Sequence, residues 1–348
     1  MGKEKSFRST GAAVSIGGDW RLVADVGGTR SRFALVDEAG GLAHALSLAN
    51  ADYSGLGEAA EAYLREVAPS PAPRRAAFAV ATPITGDRVR LTNREWSFST
   101  RQLQRRLGLD HLTVINDFTA LALALPYLGA EHLRSLHSAT GDPSAPRVIL
   151  GPGTGLGVSA LIPGDDGEEP TPVATEGGHR DFAAITEREW AVHQVLARRF
   201  GRVSVERVVS GTGMVYLYQA LCEIDGEAAV ADDAAAVVAV SDRDARARET
   251  LRIFAAQLGA FAGDLALTLG ARGGVYLAGG VIPRLGERFE LALFLQRYLA
   301  KGRFRSYVES IPVALVTHSW PALAGLAASP RVWRAAAGAD GGGNGATG

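Results

Sequence analysis

The segment Arg21–Asp37, RLVADVGGTRSRFALVD, is two apolar runs joined at Gly27-Gly28, and its plan returns about one domain length later. There Arg147–Ile162, RVILGPGTGLGVSALI, carries Gly151, Gly153, Gly155 and Gly157 between two β-rich runs. Adjacent glycines permit the positive φ that tight hairpins use, so each segment predicts strand, turn, strand. A hairpin that recurs at this spacing points to two lobes, each built on its own copy. The length of 348 residues agrees, because a single core stops growing at about 250 to 300 residues.

Between the hairpins, PRRAAFAVATPITG and HLTVIND read as buried strands, and FTALALALPYLG reads as a helix stopped near Pro126. Strand and helix alternate, so the class is α/β. Downstream, REWAVHQVLARRF, MVYLYQALCEI and RARETLRIFAAQLGAFAGDLALTLG have helical spacing, and GGVYLAGG returns to a strand with a glycine turn. The second lobe is therefore expected to be the more helical, with a surface turn or short helix over the Asp- and Ala-rich residues 225–245. Residues 1–19 predict a disordered arm, and the glycine-rich residues 335–348 a disordered tail. The expected division is 20–126 with about 319–334 as a small domain, and 127–318 as a large one.

Lysine usage excludes whole enzyme classes. The only lysines are Lys3, Lys5 and Lys301, so there is neither the lysine of a Walker A loop nor the early-strand lysine of a protein kinase. Any triphosphate site must hold its phosphates another way, and main-chain N–H groups of a glycine turn can do so. Basic and acidic residues balance at 36 against 37, which leaves no field to draw the protein to nucleic acid or an anionic membrane. Residues 311–330 lack charge but contain Pro312, His318 and Pro321, which argues against a bilayer-spanning helix. Cys222 is the single cysteine; on an apolar helix face it reads as a structural thiol, and the absence of disulfides fits the cytoplasm.

Five short motifs and one lone glutamate carry candidate chemistry. Asp25-Val26-Gly27-Gly28-Thr29 places amides where they can touch an anion, with Asp25 as a hard oxygen ligand for Mg²⁺ through water and Thr29 as a hydroxyl donor. The plain alternative is an ordinary Gly-Gly hairpin. GPGTGLG lacks the G-x-G-x-x-G spacing and runs into a strand, which disfavours a dinucleotide fold; Gly153, Thr154 and Gly155 would instead close on phosphates opposite the first hairpin. Asn116-Asp117 stands at the C-terminal end of a strand, where Asp117 suits a general base and Asn116 a hydroxyl ligand; both are also good N-caps, and the two roles can coexist. Glu176-Gly177-Gly178-His179 is a set of donors and acceptors for adjacent sugar hydroxyls, against a metal reading that would need a third ligand. Glu206 is a further acceptor or a solvated surface carboxylate. Gly279-Gly280 ends a strand and either admits an adenine ring or forms a plain strand-to-helix turn.

Taken as an ordered set, LVADVGGTRSRFALVD, ITGDRVRLTNREWSFS, VINDFTALALALP, LGPGTGLGVSALI, EGGHRDFA, VERVVSGTGMVYLYQAL, GGVYLAGGVIPR and KGRFRSYVESIPVALV resemble the bacterial ATP-dependent glucokinase family of the actin-like sugar kinases. The likeness spans about residues 20 to 330. It implies a two-domain actin-like, ribonuclease H-like fold with an interdomain cleft, Mg·ATP and glucose as ligands, no nucleic acid or membrane partner, and a homodimer. It further implies that Asp117 is the catalytic base and that Asn116, Glu176, His179 and Glu206 bind glucose. Phosphate contacts are implied at Gly27, Gly28 and Thr29 and around Gly153, Thr154 and Gly155. The chain departs from the family pattern at Gly211-Thr212-Gly213, where proline is expected in the middle, and in its N-terminal arm. The rival readings are a kinase for another hexose or with a polyphosphate donor, a sugar-sensing regulator without catalysis, and an actin-like ATPase without a sugar.

Overall fold

The computed structural model of the protein describes residues 19–91, 95–165 and 168–334. The chain divides into two compact units, Met1–Tyr127 with Trp320–Gly348, and Leu128–Ser319. Of the expected arm only Asp19 falls within the described residues, and the expected tail lies outside them.

The first unit opens with the hairpin of β1 (Arg21–Val26) and β2 (Arg30–Val36), followed by β3 (Leu42–Ala49), α1 (Leu56–Val67) and β4 (Arg75–Val80). A two-stranded ladder of β5 (Arg88–Arg90) and β6 (Ser97–Ser99) precedes α2 (Thr100–Arg106), β7 (His111–Asn116) and α3 (Asp117–Ala124). The main sheet runs β3-β2-β1-β4-β7; the hairpin strands are antiparallel, whereas β1, β4 and β7 run parallel. Strands buried on both faces read as continuous apolar runs, as RLVADV and RAAFAV do. The core closes around fully buried Phe33, which stacks on Tyr63 and meets Phe78 edge-on. Each such side chain contributes roughly 1.5–3 kcal/mol, and the Tyr63 hydroxyl is satisfied by the His44 carbonyl at 2.9 Å.

The second unit repeats the arrangement. After β8 (Leu133–His137) come the hairpin β9 (Arg147–Pro152) and β10 (Leu156–Ile162), then β11 (Thr171–Thr175) and three helices, α4 (Glu187–Phe200), α5 (Gly211–Asp225) and α6 (Ala234–Val240). The 24-residue α7 (Ala245–Thr268) leads to β12 (Gly274–Leu277), the short α8 (Val281–Leu285), α9 (Leu291–Leu299), α10 (Arg305–Glu309) and β13 (Val313–Val316). The sheet order is β11-β10-β9-β12-β13-β8, again antiparallel through the hairpin and parallel across β9, β12 and β13. The duplicated hairpins of the sequence are thus the same structural element of two similarly ordered sheets.

The last α-helix among the described residues, α11 (Pro321–Ala328), returns to the first unit and packs on α3. Gly325 allows the approach: a Cβ there would strike the Ala120 carbonyl oxygen. Residues 311–330, uncharged in sequence, are a strand and a helix with a break between them. No helix among the described residues is long and apolar enough to cross a membrane.

Candidate active site

In the first unit, parallel register aligns Val26 with Val80 and Val80 with Asn116. The turn 27–29 and the Asn116-Asp117 pair therefore leave the same sheet edge, two strand spacings or roughly 10 Å apart. This is the carboxyl end of the parallel strands, where ligands of open α/β sheets bind. Asn116 is the N-cap of α3: its Oδ1 accepts from the N–H groups of Phe118 at 2.9 Å and Thr119 at 3.2 Å. Capping falls to Asn116 and frees Asp117 for the first helical turn, where the helix end favours a negative charge. The half-buried Asp117 also accepts from the Phe118 N–H, at 2.9 Å. With its oxygen occupied, Asn116 can offer a ligand its Nδ2, which makes a long 3.4 Å contact to the Thr82 carbonyl.

The first turn corrects one expectation. Neither Gly27 nor Gly28 adopts positive φ; the loop closes through the Gly27 N–H to the Arg30 carbonyl at 3.1 Å, and a Cβ on Gly27 would lie 3.3 Å from that oxygen. Glycine is needed there for room rather than for handedness. Thr29 is exposed. Asp25 stands directly opposite Arg32 across the hairpin and pairs with it at 3.0 Å. Burial pushes its carboxyl above the usual range, opposed by the Arg32 guanidinium.

In the second unit three predicted sugar residues come together. Glu176 follows β11, and Gly177–His179 form a single tight turn, so His179 points back over the same loop. Its Nε2 lies 4.0 Å from Glu176 Oε2 and 3.9 Å from Glu206 Oε1. Glu176 and His179 are about half exposed, whereas the Glu206 side chain retains 27%. Glu206 is not a solvated surface carboxylate: its Oε2 accepts the Leu156 N–H at 2.8 Å. Gly155 makes that contact possible, because a Cβ there would run into the same oxygen. Gly178 likewise lets its loop close over the Leu156 carbonyl. The second hairpin and the sugar candidates are therefore one cluster, which brings two carboxylate acceptors and an imidazole together.

The same hairpin is tied to the helix behind it. Gly211 donates to the Gly153 carbonyl at 2.8 Å and the Thr212 hydroxyl to the Thr154 carbonyl at 3.2 Å. On its other flank Gly279, at φ +84°, takes a conformation open mainly to glycine, and its Cβ position lies 2.5 Å from the Pro152 carbonyl. The close backbone approach at Gly279 is thus made by β9 of the same unit, and the chain continues into α8 as a strand-to-helix turn.

A family model for glucokinase matches residues 22–331. The glucokinase of Paramagnetospirillum magneticum is 47% identical over 308 residues, 88% of this chain and 96% of its own.

The chain belongs to the glucokinase family.

A solved glucokinase from an Antarctic psychrotroph superimposes with a TM-score of 0.78 at 36% identity, covering 89% of this chain and 98% of that one. A ROK-family glucokinase from Streptomyces griseus, crystallised with glucose and AMPPNP, shares the fold at a TM-score of 0.59 and 18% identity, over 88% of this chain and 98% of its own. The expected actin-like sugar kinase fold is the fold of these relatives.

Sequence reasoning missed the residues that hold this glucokinase family member's turns in place. Buried Asn50 donates its side-chain amide to the Gly27 carbonyl at 2.8 Å and its main-chain N–H to the Thr29 carbonyl at 2.9 Å, while its Oδ1 accepts from Ser31 at 2.7 Å. Its signal in sequence was a lone asparagine between an apolar strand and a helix, which reads equally as a turn residue. Ser210 caps α5 through the Gly213 N–H and donates to the Glu206 carbonyl, both at 2.8 Å. Thr212, flagged only because proline was expected there, makes a bond through a hydroxyl that proline lacks.

Proposed function

We propose the following roles for the residues of a chain whose reaction is that of its family, phosphoryl transfer from ATP to the 6-hydroxyl of glucose, giving glucose 6-phosphate and ADP. Asp117 accepts the proton of the attacking hydroxyl, and Asn116 offers its amide to a neighbouring hydroxyl. Glu176, His179 and Glu206 hold further hydroxyls of the sugar. The turns Gly27-Gly28-Thr29 and Gly153-Thr154-Gly155 receive phosphate oxygens in place of a lysine, through the Thr29 and Thr154 hydroxyls and through main-chain N–H groups other than those of Gly27 and Gly153, which close their own hairpins on the Arg30 and Gly155 carbonyls at 3.1 and 2.8 Å. Gly279-Gly280 lies at the strand end where the adenine is assigned.

The assignment rests above all on the convergence of Glu176 and Glu206 on His179, whose Nε2 lies 4.0 and 3.9 Å from their carboxylates. A site that pairs each hydroxyl with a donor or acceptor discriminates strongly against a molecule lacking one.

Among the described residues no group of three or more His, Cys, Asp or Glu is placed to hold a metal. Mg²⁺ takes one or two carboxylates together with nucleotide oxygens and water instead of a protein cage. Asp25, at the end of β1 and partly exposed, is the carboxylate assigned to it. Bound there, the ion would neutralise charge on the phosphates. A homodimer and a cytoplasmic location complete the reading.

A coupled assay with glucose, Mg²⁺ and ATP, repeated with mannose, fructose and polyphosphate, tests the reaction. D117N is expected to lose about a thousandfold in kcat while glucose binding by calorimetry persists, because the proton acceptor goes and the shape stays. Near-normal turnover by D117N would remove Asp117 from its role.

A further inference from the structure

The loop that carries Glu176 and His179 is anchored from behind by charges with no place in the reaction. Arg180 follows His179 directly, and its guanidinium donates to Asp264 Oδ2 of α7 at 2.7 Å. The Asp264 carboxylate is shared: its Oδ1 accepts from Lys301 Nζ at 2.6 Å, and Lys301 also donates to the Ala260 carbonyl at 2.8 Å. Lys301 is the one lysine among the described residues, and its side chain is 9% exposed. It reaches Asp264 along the groove left at Gly263, where a Cβ would strike its stem. The Arg180 guanidinium also lies 5.4 Å from the ring centroid of Phe261, one helical turn before Asp264.

The main chain of Arg180 is equally committed. Its N–H donates to the Gly177 carbonyl at 3.1 Å, closing the turn that presents His179. Its carbonyl accepts from the N–H of Val205, the residue before Glu206, at 2.9 Å. Arg180 is therefore where the Glu176–His179 turn and the Glu206 segment meet, and its side chain ties that junction to the longest helix of the unit. Charge-assisted hydrogen bonds of this length are the strong ones, and a carboxylate held between two cations has little freedom to rearrange.

From this geometry we propose that Arg180 is a positioning residue for sugar recognition, acting with Asp264 and Lys301 to set His179 and Glu206 at their separation. The proposal rests on the assignment of Glu176, His179 and Glu206 to the sugar. Displacement of a binding group by about 1 Å can cost up to about a hundredfold. The relay therefore governs glucose affinity and leaves the nucleotide side and the proton acceptor alone.

Steady-state kinetics and glucose calorimetry on the full chain test it. R180M, whose stem still covers Phe261, and D264N are each expected to raise glucose KM and Kd about tenfold, with kcat within about twofold and ATP KM unchanged. K301M, which leaves the Arg180–Asp264 pair, is expected to give a smaller rise, and R180K to recover most of the affinity lost in R180M. R180M decides the matter should D264N not fold. Glucose Kd within twofold of wild type in R180M, whatever its melting temperature, would overturn the relay. H179A and E206Q are measured alongside: if they bind glucose normally, the sugar assignment fails and the relay with it; if they lose glucose while R180M keeps it, the relay alone fails.

Discussion

Asn50 donates its side-chain amide to the carbonyl of Gly27 at 2.8 Å, across 23 residues of chain. Three bonds from this one buried residue define the first hairpin turn, to Gly27, Thr29 and Ser31. Gly27 provides space, and Asn50 provides the shape.

N50A strips two of those partners without replacing them. Unpaired buried polar groups cost about 1–3 kcal/mol, so urea denaturation should show a loss of that size. ATP KM should rise, since the proposed phosphate contacts lie in this turn, while glucose affinity should hold. N50D should be worse than N50A, because an acceptor would then face the Gly27 carbonyl. ATP KM equal to wild type in N50A would separate the turn from the nucleotide.

The second hairpin offers a paired comparison. A Cβ on Gly153 meets nothing within 4 Å, whereas one on Gly155 meets the Glu206 carboxylate. The obstructing atom is the mobile end of a side chain, so G155A should fold, with Glu206 pushed off the Leu156 N–H. Losing a hydrogen bond that orients a charged group costs about 1.5–3 kcal/mol, which corresponds to a rise in glucose KM of tenfold or more. G153A should leave glucose KM near wild type. Equal values for both would show that Glu206 has no part in holding glucose.

Thr212 tests the family departure. T212V removes the exposed hydroxyl bond to Thr154 and nothing else of its size. The cost to stability should be at most about 1 kcal/mol, and the readout is ATP KM, expected to rise a few-fold with T212S retaining the wild-type value. T212P should match T212V, because both lack the donor.

The second unit also carries a pH-sensitive contact outside the site. Burial pushes the Glu189 carboxyl up, but hydrogen bonds from the Ile185 N–H and Arg297 outweigh it and hold the group below its ordinary range. A carboxyl depressed in the folded state stabilises the fold above its unfolded pKa, and that stability is lost as pH falls through the depressed value. Melting temperature should therefore fall as pH drops below about 4. E189Q should flatten that fall and lower stability at neutral pH by about 3–5 kcal/mol, because Arg297 is left without its counter-ion. Parallel melting curves for wild type and E189Q across this range would rule the contact out as the source.

Local patterns carried the architecture far. Apolar runs and the glycines between them located β1, β2, β9 and β10, and the Asn116-Asp117 boundary followed from a strand that meets an apolar helix. The reason assigned to Gly27-Gly28 did not survive, because strand, turn and strand can be closed by crowding as well as by a positive φ. At Glu206 the residues alone left an acceptor and a surface carboxylate open, since nothing near it in sequence announces the Leu156 N–H.

What the sequence alone determined is therefore the set of elements and the candidates at their ends, because strand periodicity, glycine turns and helix caps depend on contiguous residues. The tertiary structure decided which partner each side chain takes: Asn50 with Gly27, Glu206 with Leu156 fifty residues away, and Arg180 with Asp264 eighty-four away. Those pairings depend on sheet register and helix packing, which bring distant donors and acceptors within about 3 Å, and no local pattern encodes that distance.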